Sequence, residues 1–228
     1  MNWTAPRAPD AAVLDGRLVR LERLDPLRHA HELFAANRSD DSIWDYLGYG
    51  PFAEEAPYRE WVAGMAAQSD PWFYAIRDRA KGKTLGVASY LRITPVHGVI
   101  EVGHICLSPE LQRTPAATEA LFLMADWAFQ AGYRRYEWKC DSLNLPSRRA
   151  AQRLGFSHEG VFRQHMIVKG RNRDTAWFAI TDRDWPALRF AYLTWLDQAN
   201  FGPDGRQKQS LSDLTRPHLV QADPALGG

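Results

Sequence analysis

Three β-rich runs follow one another between residues 72 and 108: "WFYAIRDR", "TLGVASYLRIT" and "HGVIEVGHICLS". The first two are separated only by the turn-like "AKGK", too short for a crossover, so they pair as an antiparallel hairpin, and the third extends that sheet. This block constrains the chain to a fold built on an antiparallel sheet. Upstream, "GRLVRLERL" reads as another strand. "DPLRHAHELFAANR" reads as a helix, with a proline near its start and Leu27, Ala30, Leu33 and Phe34 at helical spacing. The stretch "DDSIWDYLGYGPFAEEAPYREWVAGMAAQ" begins as an aromatic, acidic loop and ends as a second helix.

Beyond residue 108 the texture changes. A helix at about 115 to 131 ends at Gly132, the strand "YRRYEWKC" follows, and the helix "LPSRRAAQRL" ends at Gly155 before a further strand. That alternation is an αβαβ half. "GVFRQHMIVKG" and "RDTAWFAITD" form a final hairpin around "GRN", and "WPALRFAYLTWLDQANF" makes an amphipathic helix. The expected organisation is a flexible arm over 1–12, one domain over 13–185, a C-terminal helix over 186–200 and a flexible tail over 201–228 that the chemistry does not need.

A net charge of +1 gives no reason to expect nucleic acid as the main partner. The two cysteines, Cys106 and Cys140, each stand inside a strand-like run and suggest neither a disulfide framework nor a metal site. With no leader-like N-terminus and no apolar run near the ~18 residues of a membrane span, the expectation is a cytoplasmic protein away from membranes.

"LSPELQRTPAATEAL", residues 107–121, runs from strand end through a turn into a helix. A helix N-terminus offers unpaired backbone N–H groups and the positive end of the dipole, so it can hold a phosphate. Pro115 excludes the positive φ that a glycine would allow, yet it suits the first helical position with Thr114 as cap. The same residues also suit a well-capped core helix, and the two readings stand level at this point.

The blocks "IEVGHICLSPELQRTPAATEAL", "YEWKCDSLNLPSRRAAQRLGF" and "EGVFRQHMIVKGRNRDTAWFAI" resemble, in order, the GNAT superfamily of acyl-CoA-dependent N-acetyltransferases, and within it the branch of ribosomal-protein N-terminal acetyltransferases. The resemblance implies an α/β (α+β) fold with a mixed, mainly antiparallel twisted sheet flanked by helices. It implies acetyl-CoA as the acyl donor, direct attack by a primary amine in a ternary complex, and no metal. The family's phosphate pattern has glycine where Pro115 stands, so the cradle is altered. A non-catalytic acyl-CoA sensor and a scaffold-only partner-binding protein remain the rival readings.

On that resemblance Glu101 is the candidate general base, acting through water. By strand alternation it shares a face with Gly103 and Ile105, while His104 points away. Backbone groups of Ile105, Cys106 and Leu107 would pair with the pantetheine arm. Gln112, Arg113, Thr114, Ala116, Ala117 and Thr118 would hold the pyrophosphate, Asn144 the pantetheine amides, and Arg148 a CoA phosphate. Many members carry a tyrosine at the position of Ala151 as acid for the thiolate. Here Ser147 inherits that role. Asn144 and Ser147 equally suit helix capping, and Glu101 a surface ion pair. For the acceptor, Asp41, Asp45, Glu54 and Glu55 with Trp44, Tyr46, Tyr49 and Phe52 suit a cationic amine on a small molecule or a peptide N-terminus, or else a loop packing its aromatics inward. The oligomeric state, monomer or homodimer, stays open.

Overall fold

The computed structural model describes residues 3–227. Residues 1, 2 and 228, the outer ends of the expected arm and tail, lie outside that range. The chain forms two compact units, 1–132 and 133–228, where the sequence pattern suggests one domain over 13–185.

In the first unit, strands β1 (Val13–Asp15), β2 (Val19–Arg23), β3 (Trp72–Asp78), β4 (Lys83–Thr94) and β5 (Val99–Leu107) pair in chain order, every pair antiparallel. Residue alternation divides the sheet's two faces. Phe73, Ala75, Val87 and Cys106 pack with helices α1 (Pro26–Asn37) and α2 (Glu55–Ala66). Tyr74 and Tyr90 turn the other way, and the Tyr90 hydroxyl donates to Met124 O at 2.6 Å in helix α3 (Pro115–Gln130). Each fully buried aromatic or aliphatic side chain contributes about 1.5–3 kcal/mol. The expected loose arm is ordered here: Arg23 N donates to Ala12 O at 2.8 Å, the Tyr74 hydroxyl donates to Ala11 O at 2.7 Å, and Pro6 and Pro9 are buried.

Besides a register shift between β3 and β4 at Ile76–Arg77, two β-bulges break the alternation between β4 and β5. Between the pairs Leu91–Glu101 and Thr94–Val99, β4 carries an extra residue, and Arg92 there has φ 47°. The Asp70 carboxylate accepts from Arg92 N and Ile93 N, both at 3.0 Å, and holds that bulge. Between Ser89–Gly103 and Val87–Cys106 the extra residue lies on β5, so His104 (φ 50°) and Ile105 together oppose Ala88. A bulge resets which face each later side chain takes.

The second unit holds β6 (Arg135–Asp141), β7 (Ser157–Val168) and β8 (Arg171–Thr181) in the order β6-β8-β7, both pairs antiparallel, with helices α4 (Leu145–Arg153), α5 (Trp185–Leu196) and α6 (Leu211–Thr215). The turn after α4 requires glycine on two counts: Gly155 has φ +89°, and a Cβ there would meet Leu188 Cδ2 at 2.5 Å.

The segment after α5 is folded rather than a flexible tail. Leu211 and Thr215 are fully buried and Asp223 is 2% exposed. Its polar anchors are spread through the unit: the Thr215 hydroxyl donates to Arg153 O (3.0 Å), Val220 N to Ser157 Oγ (2.9 Å), Asp223 N to Gln152 Oε1 (2.7 Å), and Gln221 O accepts from His158 N (3.0 Å). Composition misleads here because few of these anchors are apolar.

Candidate active site

The bulge at Arg92 swings its guanidinium toward Glu101, and Nη1 donates to Oε1 at 2.7 Å. The carboxylate is nearly inaccessible, with a side-chain exposure of 3%, whereas Arg92 is 49% exposed. This is an ion pair with one buried and one solvated partner, unlike the surface pair that the sequence also allows.

The second bulge overturns two expectations about strand faces. Ser89 and Val87 share a face of β4, so their partners Gly103 and Cys106 share a face of β5 with Glu101; Cys106 replaces Ile105 there. His104 does not point away. Its ring lies 5.1 Å from that of Phe73 and stacks at 5.7 Å on Tyr49, whose hydroxyl is 3.2 Å from Nδ1. Glu101, Arg92, His104 and Tyr49 thus gather on the α1–α2 side of the sheet.

Burial, reinforced by Arg92, lowers the His104 pKa from 6.5 to about 4. The ring is therefore neutral at physiological pH and acts as a hydrogen-bonding group, not a cation. Because the unfolded chain binds a proton at higher pH than the folded one, stability is full above about 6.5 and falls as pH drops from there to about 4. His104→Gln is expected to flatten that part of the stability curve, as read by urea unfolding across the pH range. An unchanged acid slope would assign it to the buried His29 and His158, whose pKa values burial also lowers.

Both cysteines are core residues. Burial pushes the Cys106 thiol up to about 12 and Cys140 to about 11, so neither is a thiolate at neutral pH.

The turn from β5 into α3 follows the pattern that the sequence suggests. Thr114 Oγ1 accepts from Ala117 N at 3.1 Å, and Pro115 occupies the first turn. The left-handed residue is Arg113 (φ 59°), two positions before the proline, so Pro115 meets no conformational conflict. Gln112 Nε2 donates to Leu107 O at 3.0 Å and ties the turn to the strand end. Gln112 and Arg113 are exposed, while Ala116, Ala117 and Thr118 are buried.

In the second unit Asn144 caps α4, its Oδ1 accepting from Ser147 N at 3.0 Å, and Ser147 Oγ accepts from Trp138 Nε1 at 3.0 Å. An N–H donated to a hydroxyl oxygen makes its O–H a better donor. Arg148 is not available to a CoA phosphate. It is buried, with Nε and Nη2 on Asp223 at 2.7 and 2.5 Å and Nη1 on Ser142 O at 2.8 Å. Its neighbour Arg149 is the exposed one.

The acidic loop resolves into two halves. Trp44, Tyr49 and Phe52 pack inward against Tyr58 and Trp61, with ring separations of 4.5–6.3 Å. Asp41, Asp45 and Glu54 are exposed, and Glu55 pairs with His31 (2.9 Å) and Arg59 (2.5 Å). Sequence reasoning missed Arg92, Trp138 and Asp223, because each matters only through a partner that no local pattern announces.

Bulged antiparallel strands leading through a capped turn into a long helix, followed by a strand and a short Asn-capped helix, define an acyltransferase scaffold. Residues 19–157 match the GNAT acetyltransferase domain, and the chain belongs to that family and is an acetyltransferase. It is similar to a GCN5-related N-acetyltransferase from Brucella melitensis, 47% identical, with 94% of this chain and 99% of that one covered and a TM-score of 0.92. A probable GNAT-family acetyltransferase from Chromobacterium violaceum is 44% identical, with 82% and 94% covered and a TM-score of 0.78. The microcin C7 self-immunity acetyltransferase MccE, solved in complex with acetyl-CoA and AMP, shares the fold at 19% identity, with 73% and 93% covered and a TM-score of 0.65. No helix among the described residues is long and apolar enough to cross a membrane.

Proposed function

We propose that the protein moves an acetyl group from acetyl-CoA to a primary amine, on a small molecule or a protein N-terminus, by direct attack. The observation that carries this reading is Glu101, a buried carboxylate held by Arg92 between two bulges of β5 and its neighbour. A carboxylate so fixed takes a proton from the incoming ammonium through water, and the free amine attacks the thioester carbon. Backbone N–H and C=O groups along Ile105, Cys106 and Leu107 support the pantetheine arm, and one N–H there supports the developing oxyanion. As the C–N bond forms and the C–S bond breaks, the Ser147 hydroxyl, polarised by Trp138, protonates the departing thiolate.

The capped start of α3 receives the pyrophosphate through the N–H groups of Ala116, Ala117 and Thr118, with Gln112, Arg113 and Thr114 beside them. Asn144 has its oxygen occupied by the cap, which leaves its Nδ2 for a pantetheine carbonyl. The exposed acids of the 41–54 loop favour a cationic acceptor at the surface, and Arg92 limits how much positive charge is welcome beside Glu101.

Calorimetric titration with acetyl-CoA, followed by an amine screen read as free thiol, tests the reading. Micromolar binding, on the order of −8 kcal/mol, with amine-dependent thiol release is the expected result. Binding without turnover would make the protein an acyl-CoA sensor, and absence of binding would reduce it to a scaffold.

A further inference from the structure

We infer that Asp223, in the C-terminal segment, is a positioning residue for the pantetheine arm of acetyl-CoA, acting through Arg148 on the turn that presents Asn144. The inference rests on the reading of Asn144 given above.

The contacts form a continuous path. Asp223 lies 75 residues from Arg148 in sequence, and its carboxylate accepts from both Nε and Nη2 of that guanidinium. The Arg148 side chain is 7% exposed and that of Asp223 fully buried. The remaining nitrogen, Nη1, donates to Ser142 O in the turn joining β6 to α4. That turn is closed by Leu143 N on Asp141 Oδ1 (2.9 Å) and Asn144 N on Asp141 O (2.9 Å), and it delivers Asn144 to its capping position. Asp223 is itself fixed: its N–H reaches Gln152 in α4, and its Oδ1 accepts from Ala225 N at 3.0 Å.

A buried ion pair is a weak stabiliser compared with apolar side chains of the same volume. Its advantage lies in geometry. A guanidinium gripped on two nitrogens by a carboxylate can aim its third at one carbonyl, and here that carbonyl belongs to the turn before Asn144. The C-terminal segment therefore sets the donor site.

The test separates positioning from stability. The double variant Arg148→Met/Asp223→Leu replaces the pair with apolar side chains and is expected to melt close to the unaltered protein. It should nevertheless bind acetyl-CoA about tenfold more weakly, because Nη1 no longer holds Ser142. Adenosine 3′,5′-diphosphate, which lacks pantetheine, should bind both proteins equally. Asp223→Asn, which keeps the side-chain shape, should show the same selective loss and serves if the double variant does not fold. Equal acetyl-CoA affinity in variant and parent would overturn the inference. Should Asn144→Ala also leave acetyl-CoA affinity unchanged, the reading of Asn144 fails first and the inference with it.

Discussion

Glu101→Gln is expected to lower amine acetylation by about 10²- to 10⁴-fold while acetyl-CoA affinity stays within about twofold. Glutamine keeps the shape and can still accept from Arg92, but it cannot take a proton from an ammonium. Arg92 is 49% exposed, so the loss of its charged partner is relieved by water and the fold should hold. The measurements are single-turnover thiol release for the chemical step and calorimetry for the donor. The activity loss should shrink as the assay pH rises, because the free amine then needs no base. Turnover equal to that of the unaltered protein would remove Glu101 from the mechanism. A parallel loss of acetyl-CoA binding would recast it as a structural group of the strand.

The largest stability effect is expected at Glu119, which lies on α3 and takes no part in the proposed chemistry. Its carboxylate is 6% exposed in residue terms and accepts three successive backbone N–H groups, from Arg17 (3.2 Å), Leu18 (2.6 Å) and Val19 (2.9 Å). It thereby fixes the turn between β1 and β2 against α3. Gly16 makes the approach possible, since a Cβ there would stand 2.5 Å from Glu119 Oε2. Glu119→Ala would remove the acceptor from the buried N–H of Val19 and from the part-buried N–H groups of Arg17 and Leu18. At about 1.5–3 kcal/mol for each hydrogen bond to a charged group, with partial relief by water, the expected loss is about 3–5 kcal/mol. An unfolding free energy from urea titration within about 0.5 kcal/mol of the unaltered protein would show that the turn is held by other contacts. Glu119→Gln, which keeps one acceptor oxygen, should fall between the two.

The two predictions use the same chemistry in opposite ways. Both glutamates are buried in the first unit, yet Glu101 faces one arginine nitrogen and Glu119 is engaged by three amides. The sequence does not distinguish them. Glu119 sits in a helix of high apolar content where no local pattern singles it out, while Glu101 stands out only through family resemblance.

Short-range patterns carried the parts of the fold that depend on near neighbours. The hairpins were legible because turn composition and β-rich runs act over a few residues, and the start of α3 because a threonine cap and a proline at the first helical position are local requirements that Thr114 and Pro115 meet together. The glycine ends of the helices at Gly132 and Gly155 follow from the same logic, each with positive φ. Tertiary structure alone decided the rest. A bulge depends on how many residues the opposite strand supplies, so the reversal that brings His104 and Cys106 to the face of Glu101 is invisible along β5 by itself. Likewise one of the anchors of the last segment is Asp223 meeting an arginine 75 residues away, an ion pair whose partners carry no mark of each other until the chain has folded.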